Sequence, residues 1–395
     1  MTQSYDVVIV GGGTGGLTLA AQLHELAPEL SLAIIEPSEK HYYQPIWTLV
    51  GGGVFPKEIS ERDESEFIPH GATWIKEKVE TFDPDHDAVV LASGDSVTYG
   101  QLVVAAGLQI DWDKIPGLTD ALGKNGVGSN YSYDTVDYTW NAIRSFRGGN
   151  AIFTQPNTPI KCGGAPQKIM YLAEDYFRKN GIRDKATVRF YLPPPKIFGV
   201  AKYAATLGRL CEERGIELRH RNHLIEVRGD AKVAVFENLD TGEKTEQAFD
   251  LLHVTPPMSA PDFIEHSPLA AETGFVEVDK LNLQHVRYPK VFALGDCSNL
   301  PTAKTGAAIR KQAPVLAENM LAARKAQPMT KAYDGYSSCP LVTGYGRLVL
   351  AEFDYDGKPA ESFPFDQSQE RYSMYALKAY GLPQMYWHGM LRGRV

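Results

Sequence analysis

The chain has 395 residues, 43% of them hydrophobic, so it is long enough for two domains with sizeable cores. Its 40 basic and 48 acidic residues give a formal net charge of −8 without a basic tract, which argues against nucleic acid as a partner. No run approaches the roughly 18 apolar residues of a membrane span, and an apolar strand begins at Tyr5, so we expect no transmembrane helix and no signal peptide.

The N-terminal segment predicts a βαβ unit. Residues 5–10 read as a buried strand, residues 17–23 as an apolar helix, and residues 31–35 as a second strand that ends at Glu36. The loop between the first strand and the helix has the spacing G-x-G-x-x-G, which allows a tight turn, the approach of a pyrophosphate and close helix packing. The residues of this predicted phosphate site are Gly11, Gly13, Thr14, Gly15 and Gly16. Glu36 lies 20 residues beyond Gly16, where a carboxylate can accept hydrogen bonds from ribose hydroxyls.

Short strands and a second αβ unit follow. Strands are expected at 74–82, 88–91, 97–99, 102–107, 151–153, 187–192, 216–218, 251–254 and 291–294, with a hairpin over 233–249. Helices are expected at 135–146, 166–178 and 203–213, and one of about twenty residues from near 303. The last ~65 residues predict a hairpin around Asp356 and Gly357 and then a helical tail rich in tyrosine and methionine.

Two later segments resemble motifs of flavoproteins with tandem dinucleotide-binding domains. Residues 103–107 resemble the internal strand motif of that family, and residues 292–296 resemble the late motif whose aspartate holds the ribityl chain. The resemblance implies FAD in the first domain, with a helix after residue 306 that points its N-terminus at the flavin ring. The further cofactor contacts that it implies are Gln44, Ala106, Gly107, Asp296, Lys304 and Thr305.

The second unit lacks the phosphate-binding fingerprint of NAD(P)H-using relatives. Residues 154–166 contain two adjacent glycines and three prolines, without the spacing of a phosphate cradle. No acidic residue follows the strand predicted at 187–192 at a suitable distance. We therefore expect a reductant other than a nicotinamide to reach the flavin.

The four cysteines are too few and too scattered for a disulfide scaffold or a zinc cluster, and no metal is expected. Cys162 lies just before a predicted helix with Lys161 and Lys168 nearby, and such surroundings populate a thiolate. A buried structural cysteine is the alternative. Cys339 is expected in a loop, while Cys211 and Cys297 are interpreted as packing residues, the latter near the cofactor.

The segments around two of these cysteines resemble the cysteine loops of sulfide:quinone oxidoreductases of the mitochondrial and bacterial type. Residues 161–168 and 333–345 carry the resemblance, and residues 41–45 and 363–366 extend it. It implies that HS⁻ opens a disulfide between Cys162 and Cys339, leaving a persulfide on Cys339 and a flavin-facing thiolate on Cys162, with Lys168 beside them. Sulfane sulfur would pass to glutathione, sulfite or a similar small nucleophile, and electrons to a quinone. Residues 128–131 lack the cysteine that tethers FAD in other members, so non-covalent FAD is expected.

The C-terminal tail is expected to serve the quinone and the membrane. Trp387 with Arg392 and Arg394 suits a bilayer interface, although packing on the core is an equal alternative. A peripheral location on the cytoplasmic or matrix-equivalent face is therefore expected. The predicted quinone-binding residues are Phe363, Tyr372, Tyr375 and Tyr386.

Together these features predict an α/β fold of two Rossmann-like domains plus a C-terminal hairpin and helical membrane-interface segment. The FAD-binding domain is expected at 1–112 and 266–330, the second Rossmann-like domain at 113–265, and the C-terminal segment at 331–395. The leading function is an FAD-dependent sulfide:quinone oxidoreductase. The alternatives are a type II NADH:quinone dehydrogenase, an exported sulfide dehydrogenase that reduces a cytochrome, and a non-catalytic flavin and thiol redox sensor.

Overall fold

The computed structural model describes residues 3–395. Met1 and Thr2, the first two residues of the predicted FAD-binding domain, lie outside the described residues. The N-terminal part is built around a crossover helix and a mixed sheet. Its elements are β1 (Gln3–Val10), α1 (Thr14–Leu26), β2 (Leu32–Ile35), β3 (Lys40–Tyr42), α2 (Trp47–Gly51), β4 (Glu61–Asp63), β5 (Thr73–Ile75), β6 (Val79–Asp83), β7 (Ala88–Leu91), β8 (Ser96–Val104) and β9 (Gln109–Ile110). In the mixed sheet, β5, β2, β1 and β8 are parallel, and β7 and β6 add antiparallel pairs.

The middle of the chain forms a second parallel sheet and an antiparallel hairpin layer. Its elements are α3 (Leu118–Ala121), β10 (Val127–Gly128), α4 (Val136–Ser145), β11 (Gly149–Thr154), α5 (Ala165–Lys179), β12 (Ala186–Leu192), α6 (Ala201–Glu213), β13 (Glu217–His220), β14 (Asn222–Arg228), β15 (Val233–Asn238), β16 (Lys244–Ala248) and β17 (Leu251–His253). The sheet order β10-β17-β11-β12-β13 is parallel throughout, which is typical of a doubly wound unit.

The chain then returns to the first sheet and ends in a hairpin and short helices. These elements are β18 (Met258–Ser259), α7 (Asp262–Glu265), β19 (Val291–Ala293), α8 (Gly306–Arg324), β20 (Ser337–Gly344), β21 (Arg347–Phe353), α9 (Tyr372–Ala376) and α10 (Leu382–His388). One π-helical turn, Leu377–Gly381, joins α9 to α10. β19 pairs with β8 and so completes a sheet whose other strands run in the order β5-β2-β1-β8-β7-β6.

The first sheet explains why its strands are continuous apolar runs. The parallel part of this sheet is covered on both faces, so residues 7–10 of β1 and 101–104 of β8 are all buried, whereas Gln3 and Ser4 at the start of β1 are exposed. Val8 and Ile9 are fully buried in β1, as are Val103 and Val104 in the neighbouring β8. Val10 pairs with Val104, so the glycine-rich loop after β1 and the segment after β8 lie side by side at the same edge.

Three local predictions were wrong. Residues 97–99 and 102–104 belong to one strand, β8, because Gln101 continues the pairing with β1 opposite Val7. Residues 74–82 are not one strand, because they belong to β5 and β6, which stand at opposite ends of the strand order. The turn predicted at Asp356 and Gly357 is present, with Phe353 paired to Pro359 across it, and an unpredicted hairpin of β20 and β21 precedes it. Cys339 lies on β20 instead of in a loop, where it is opposite Ala351.

The fold class is confirmed as α/β with Rossmann-like units. Within residues 3–395, no helix combines the length and the apolar character needed to cross a membrane.

Candidate active site

A cavity of about 670 Å³ lies where the carboxyl ends of the first sheet meet α5, α8 and the C-terminal segment. The predicted residues that line it are Gly11, Gly13, Thr14, Gly15, Glu36, Gln44, Ala106, Gly107, Cys162, Lys168, Asp296, Lys304, Thr305, Phe363 and Tyr386. The predicted residues outside its lining are Gly16, Cys339, Tyr372 and Tyr375. The topology thus brings residues from all four parts of the chain to one site.

The glycine-rich loop combines tight packing with one open face. A Cβ at Gly16 would lie 1.9 Å from the Gly11 carbonyl oxygen, and a Cβ at Gly11, whose φ is +106°, would lie 2.6 Å from the Ala105 carbonyl oxygen. A Cβ at Gly13 meets nothing within 4 Å. Only glycine therefore allows α1 and β8 to pack against the loop, and Gly13 leaves its own side free for a ligand.

Two carboxylates lie beside this loop. Glu36 accepts hydrogen bonds from the Gly12 N–H and the Ser38 N–H, each at 2.8 Å. Glu64 is almost fully buried, and its Oε1 has no hydrogen-bond partner among residues 3–395. Both carboxylates line the cavity next to Gly12.

The late motif supplies a second wall of the cavity. Burial raises the pKa of Asp296 and lowers the pKa of Lys304. The Lys304 ammonium donates hydrogen bonds to the carbonyl oxygens of Asp296 and Ser298, at 2.6 and 3.0 Å. Thr305 caps α8 by accepting a hydrogen bond from the Ala308 N–H at 3.2 Å. The N-terminus of α8 therefore faces the cavity with a capped first turn.

The two predicted cysteines are brought together although they are 177 residues apart. The Sγ atoms of Cys162 and Cys339 are 2.8 Å apart, and the Lys168 ammonium donates to Cys162 Sγ at 3.2 Å. Cys162 lines the cavity with a left-handed φ of +55°, whereas Cys339 is buried behind it. Gly164 allows this contact, since a Cβ there would lie 2.7 Å from Cys339 Sγ.

The charges around the pair shift the pKa values of the two thiols in opposite directions. The hydrogen bond from Cys339 and the positive charge of Lys168 hold the pKa of Cys162 well below its usual value. Burial and the adjacent Cys162 raise the pKa of Cys339. Burial opposes the charge on Lys168, but the two sulfurs outweigh it and raise the pKa of Lys168. Cys162 is therefore the thiolate of the pair.

The other two cysteines are buried in the core. Cys211 packs in the core of the second sheet, and its thiol lies 3.3 Å from the Tyr171 hydroxyl. Cys297 is fully buried below the cavity and donates to the Val104 carbonyl oxygen. Burial raises the pKa of each thiol to about 11, as expected for inert packing residues.

The tail packs on the core rather than extending from it. Leu382, Met385, Tyr386 and Met390 share the face that lines the cavity. Trp387 is buried and its ring stacks on Phe67 at 5.3 Å, which supports the packing alternative for this residue. Of the predicted quinone-binding residues, Tyr375 is buried outside the cavity lining and Tyr372 is 69% exposed.

The cavity also contains functional groups that sequence reasoning missed. Lys378, on the π-helical turn, is 2% exposed and donates to the Pro45 carbonyl oxygen at 2.6 Å. Burial, together with the charge of Lys168, lowers the pKa of Lys378 to about 7. Tyr131 lines the cavity with a buried hydroxyl that has no hydrogen-bond partner in the described chain. The sequence could have indicated Lys378, because it is a lysine within an apolar tail. No neighbouring residue of Tyr131 indicates that it lines a cavity.

Comparison with known proteins agrees with the family resemblance found in the cysteine segments. The sequence matches the family model of pyridine nucleotide-disulphide oxidoreductases over residues 5–139. It is 50% identical over 390 residues to the mitochondrial sulfide:quinone oxidoreductase of Mus musculus, covering 98% of this chain and 87% of the mouse protein. It is 51% identical over 391 residues to the corresponding protein of Dictyostelium discoideum, covering 98% of this chain and 86% of that protein.

A solved structure shares the fold. The sulfide:quinone oxidoreductase of the hyperthermophilic bacterium Aquifex aeolicus superimposes with a TM-score of 0.84 at 20% identity, covering 99% of this chain and 92% of that one.

Proposed function

The chain belongs to the sulfide:quinone oxidoreductase family and is thus an oxidoreductase, and from this premise we propose that it oxidises sulfide and reduces a membrane quinone through non-covalent FAD. The observation that carries the proposal is the pair Cys162 and Cys339, whose sulfurs lie 2.8 Å apart at the wall of a cavity that begins at a dinucleotide-binding loop. A soft nucleophile, HS⁻, and a cysteine disulfide are matched reactants.

The residues of the cavity fit FAD. The open side of Gly13 and the N-terminus of α1 suit a pyrophosphate, and Glu36 lies where a ribose would be held. Asp296 and the capped N-terminus of α8 suit the flavin end. When bound, FAD accepts two electrons and passes them on. Cys211 and Cys297 are buried, and the sulfurs of Cys162 and Cys339 face each other, which supports non-covalent binding of FAD.

The difference in pKa between the two thiols indicates which cysteine HS⁻ attacks and which one leaves. HS⁻ attacks Cys339 Sγ of the disulfide, a new S–S bond forms, the bond between the cysteines breaks, and its electron pair stays on Cys162 Sγ. A thiol of lower pKa leaves faster, which makes Cys162 the leaving group. Lys168 stabilises the resulting thiolate at 3.2 Å. The sulfane sulfur then leaves Cys339 by attack of a small nucleophile such as glutathione or sulfite, and Cys339 is left as a thiolate. Re-forming the bond between Cys162 and Cys339 releases two electrons, which bound FAD would accept.

Quinone reduction requires protons as well as electrons. Lys378 lines the cavity with a pKa of about 7, so it can carry or release a proton near neutral pH. Phe363 lines the same cavity and is retained as a quinone contact.

We also propose peripheral membrane docking through the C-terminal segment. Tyr372 and Tyr380 are 69% and 58% exposed, and the Tyr380 ring meets Phe55 edge-on at 5.8 Å. Exposed aromatic side chains of this kind suit the headgroup region of a bilayer. Co-sedimentation with liposomes tests this, and loss of binding in Tyr372→Ser with Tyr380→Ser is expected.

The test of the sulfide proposal is an anaerobic titration with sulfide, with flavin absorbance as the readout. Wild type is expected to bleach, and Cys162→Ser and Cys339→Ser are expected to resist bleaching. Equal bleaching of both variants and wild type would contradict the cysteine chemistry.

Adding NADH in place of sulfide tests the runner-up, a type II NADH:quinone dehydrogenase. The loop between β11 and α5 lacks a phosphate cradle, so no bleaching is expected.

A further inference from the structure

The last residues of the chain pack against the dinucleotide-binding unit. Met390 and Leu391 are buried, and Gly393 lies so close to α1 that a Cβ there would be 3.1 Å from the Ala21 backbone. The Arg392 guanidinium lies over the Phe67 ring, 5.0 Å from its centroid, and donates to the Glu66 carbonyl oxygen at 2.8 Å. The C-terminal segment is thus a wall of the N-terminal unit.

A chain of hydrogen bonds crosses this contact. The Tyr386 hydroxyl lies 2.8 Å from the Thr14 hydroxyl and 2.5 Å from His41 Nε2. His41 Nδ1 lies 3.0 Å from Glu64 Oε2 and 3.2 Å from the Gly12 carbonyl oxygen. His41, Glu64 and Tyr386 are each at most 4% exposed, so water does not compete for these bonds.

Both ends of this hydrogen-bond chain reach the dinucleotide-binding loop. Thr14 is the first residue of α1, directly after Gly13, and it lines the cavity. At the other end, Glu64 Oε1 is buried without a partner among residues 3–395, and a Cβ at Gly12 would lie 2.1 Å from it. A buried carboxylate oxygen without a partner is costly unless a ligand or a proton satisfies it.

We propose that Tyr386, His41 and Glu64 form a clamp through which the C-terminal segment holds the cofactor, with Tyr386 as a positioning residue for Thr14 and Glu64 Oε1 as a contact of the bound dinucleotide. Tyr386 therefore belongs to the FAD site, which reassigns it from the quinone site predicted by the sequence. This inference rests on the proposed flavin site.

The electrostatics of the clamp agree with this role. Burial raises the pKa of Glu64, although the hydrogen bond with His41 opposes the shift, and burial also raises the pKa of Tyr386. The Tyr386 phenol thus stays protonated and donates to a neighbour. Tyr386 meets Tyr43 and Trp387 as ring neighbours, at 4.5 and 5.1 Å between centroids, which fixes its hydroxyl on Thr14 and His41.

The test measures FAD retention in the holoenzyme by the recovery of flavin fluorescence on dilution. Tyr386→Phe and Glu64→Gln are expected to raise the FAD dissociation constant about two- to tenfold, the usual range for losing one buried hydrogen bond. Tyr171→Phe is the matched control, because it removes a buried hydroxyl that bonds the Leu207 carbonyl oxygen at 3.1 Å outside the cavity. It is expected to lower the melting temperature without changing FAD retention.

Three other outcomes would each overturn the clamp. Wild-type FAD retention in Tyr386→Phe, with a raised KM for the quinone, overturns the clamp and restores the quinone assignment. Equal FAD loss in Tyr386→Phe and Tyr171→Phe, in step with melting temperature, overturns it as a general stability effect. A wild-type protein that binds no FAD overturns the proposed function and the clamp together.

Discussion

Replacing Lys168 with methionine is expected to raise the pKa at which Cys162 becomes a thiolate. Lys168 is 5% exposed, and its ammonium lies 3.2 Å from Cys162 Sγ. At that distance two unit charges interact by about 5 kcal/mol at an effective dielectric constant of about 20, before the cost of desolvation. A charge-assisted hydrogen bond has a net value of about 1.5–3 kcal/mol, which corresponds to about 1–2 pKa units.

The assay is a pH titration of thiolate absorbance in the reduced protein. The Lys168 charge lowers the pKa of Cys162, so this pKa is expected to be higher in Lys168→Met. As the pH falls, the variant therefore loses its thiolate absorbance at a higher pH than wild type does. Lys168→Arg is expected to retain most of the effect. Lys161→Met is the matched control, because Lys161 lines the same cavity but bonds Gln44 Oε1 at 2.7 Å. An unchanged midpoint in Lys168→Met would refute the reasoning.

Further substitutions test the packing at Gly164, the binding surface at Gly13 and the buried charge of Lys378. Gly164→Ala places a Cβ 2.7 Å from Cys339 Sγ and is expected to lower the free energy of unfolding by about 1–3 kcal/mol in chemical denaturation, while Gly163→Ala, with nothing within 4 Å, changes it little. Gly13→Ala is expected to leave the melting temperature of the apoprotein unchanged but to weaken FAD binding measured by fluorescence titration, because its Cβ meets only the cavity. Lys378→Met is expected to stabilise the protein most below about pH 7 and least near pH 10, because burial lowers the pKa of Lys378 to about 7 and a charged lysine there opposes folding; equal stabilisation at pH 6 and pH 9 would contradict this.

Much of the fold could be predicted because its signals are local. The apolar runs at β1 and β2 and the spacing of Gly11, Gly13 and Gly16 mark a βαβ unit whatever follows in the chain. Predicted helix bounds agree with α4, α5 and α6 to within one or two residues. The family resemblance, stated from the cysteine loops, is confirmed by the similarity to curated relatives over 98% of the chain.

The wrong predictions have a common cause. Gly335 and Pro340 suggested a loop around Cys339, but β21 supplies an antiparallel partner that makes the segment a strand. Likewise, residues 74–82 resemble one strand, yet β5 pairs with β2 and β6 pairs with β7. Local propensity yields to the pairing partner in both cases.

The sequence by itself determined the βαβ unit and its dinucleotide-binding loop, the missing second fingerprint and the chemistry available to each cysteine, because these depend on residues close together in the chain. Only the tertiary structure placed Lys378 at the cavity, bonded Tyr386 to Thr14 across 372 residues and brought Glu64 Oε1 beside Gly12 without a hydrogen-bond partner in the described part of the chain. The physical reason is that burial and contact set the pKa of a lysine or the partner of a hydroxyl, and both arise when distant segments pack against one another.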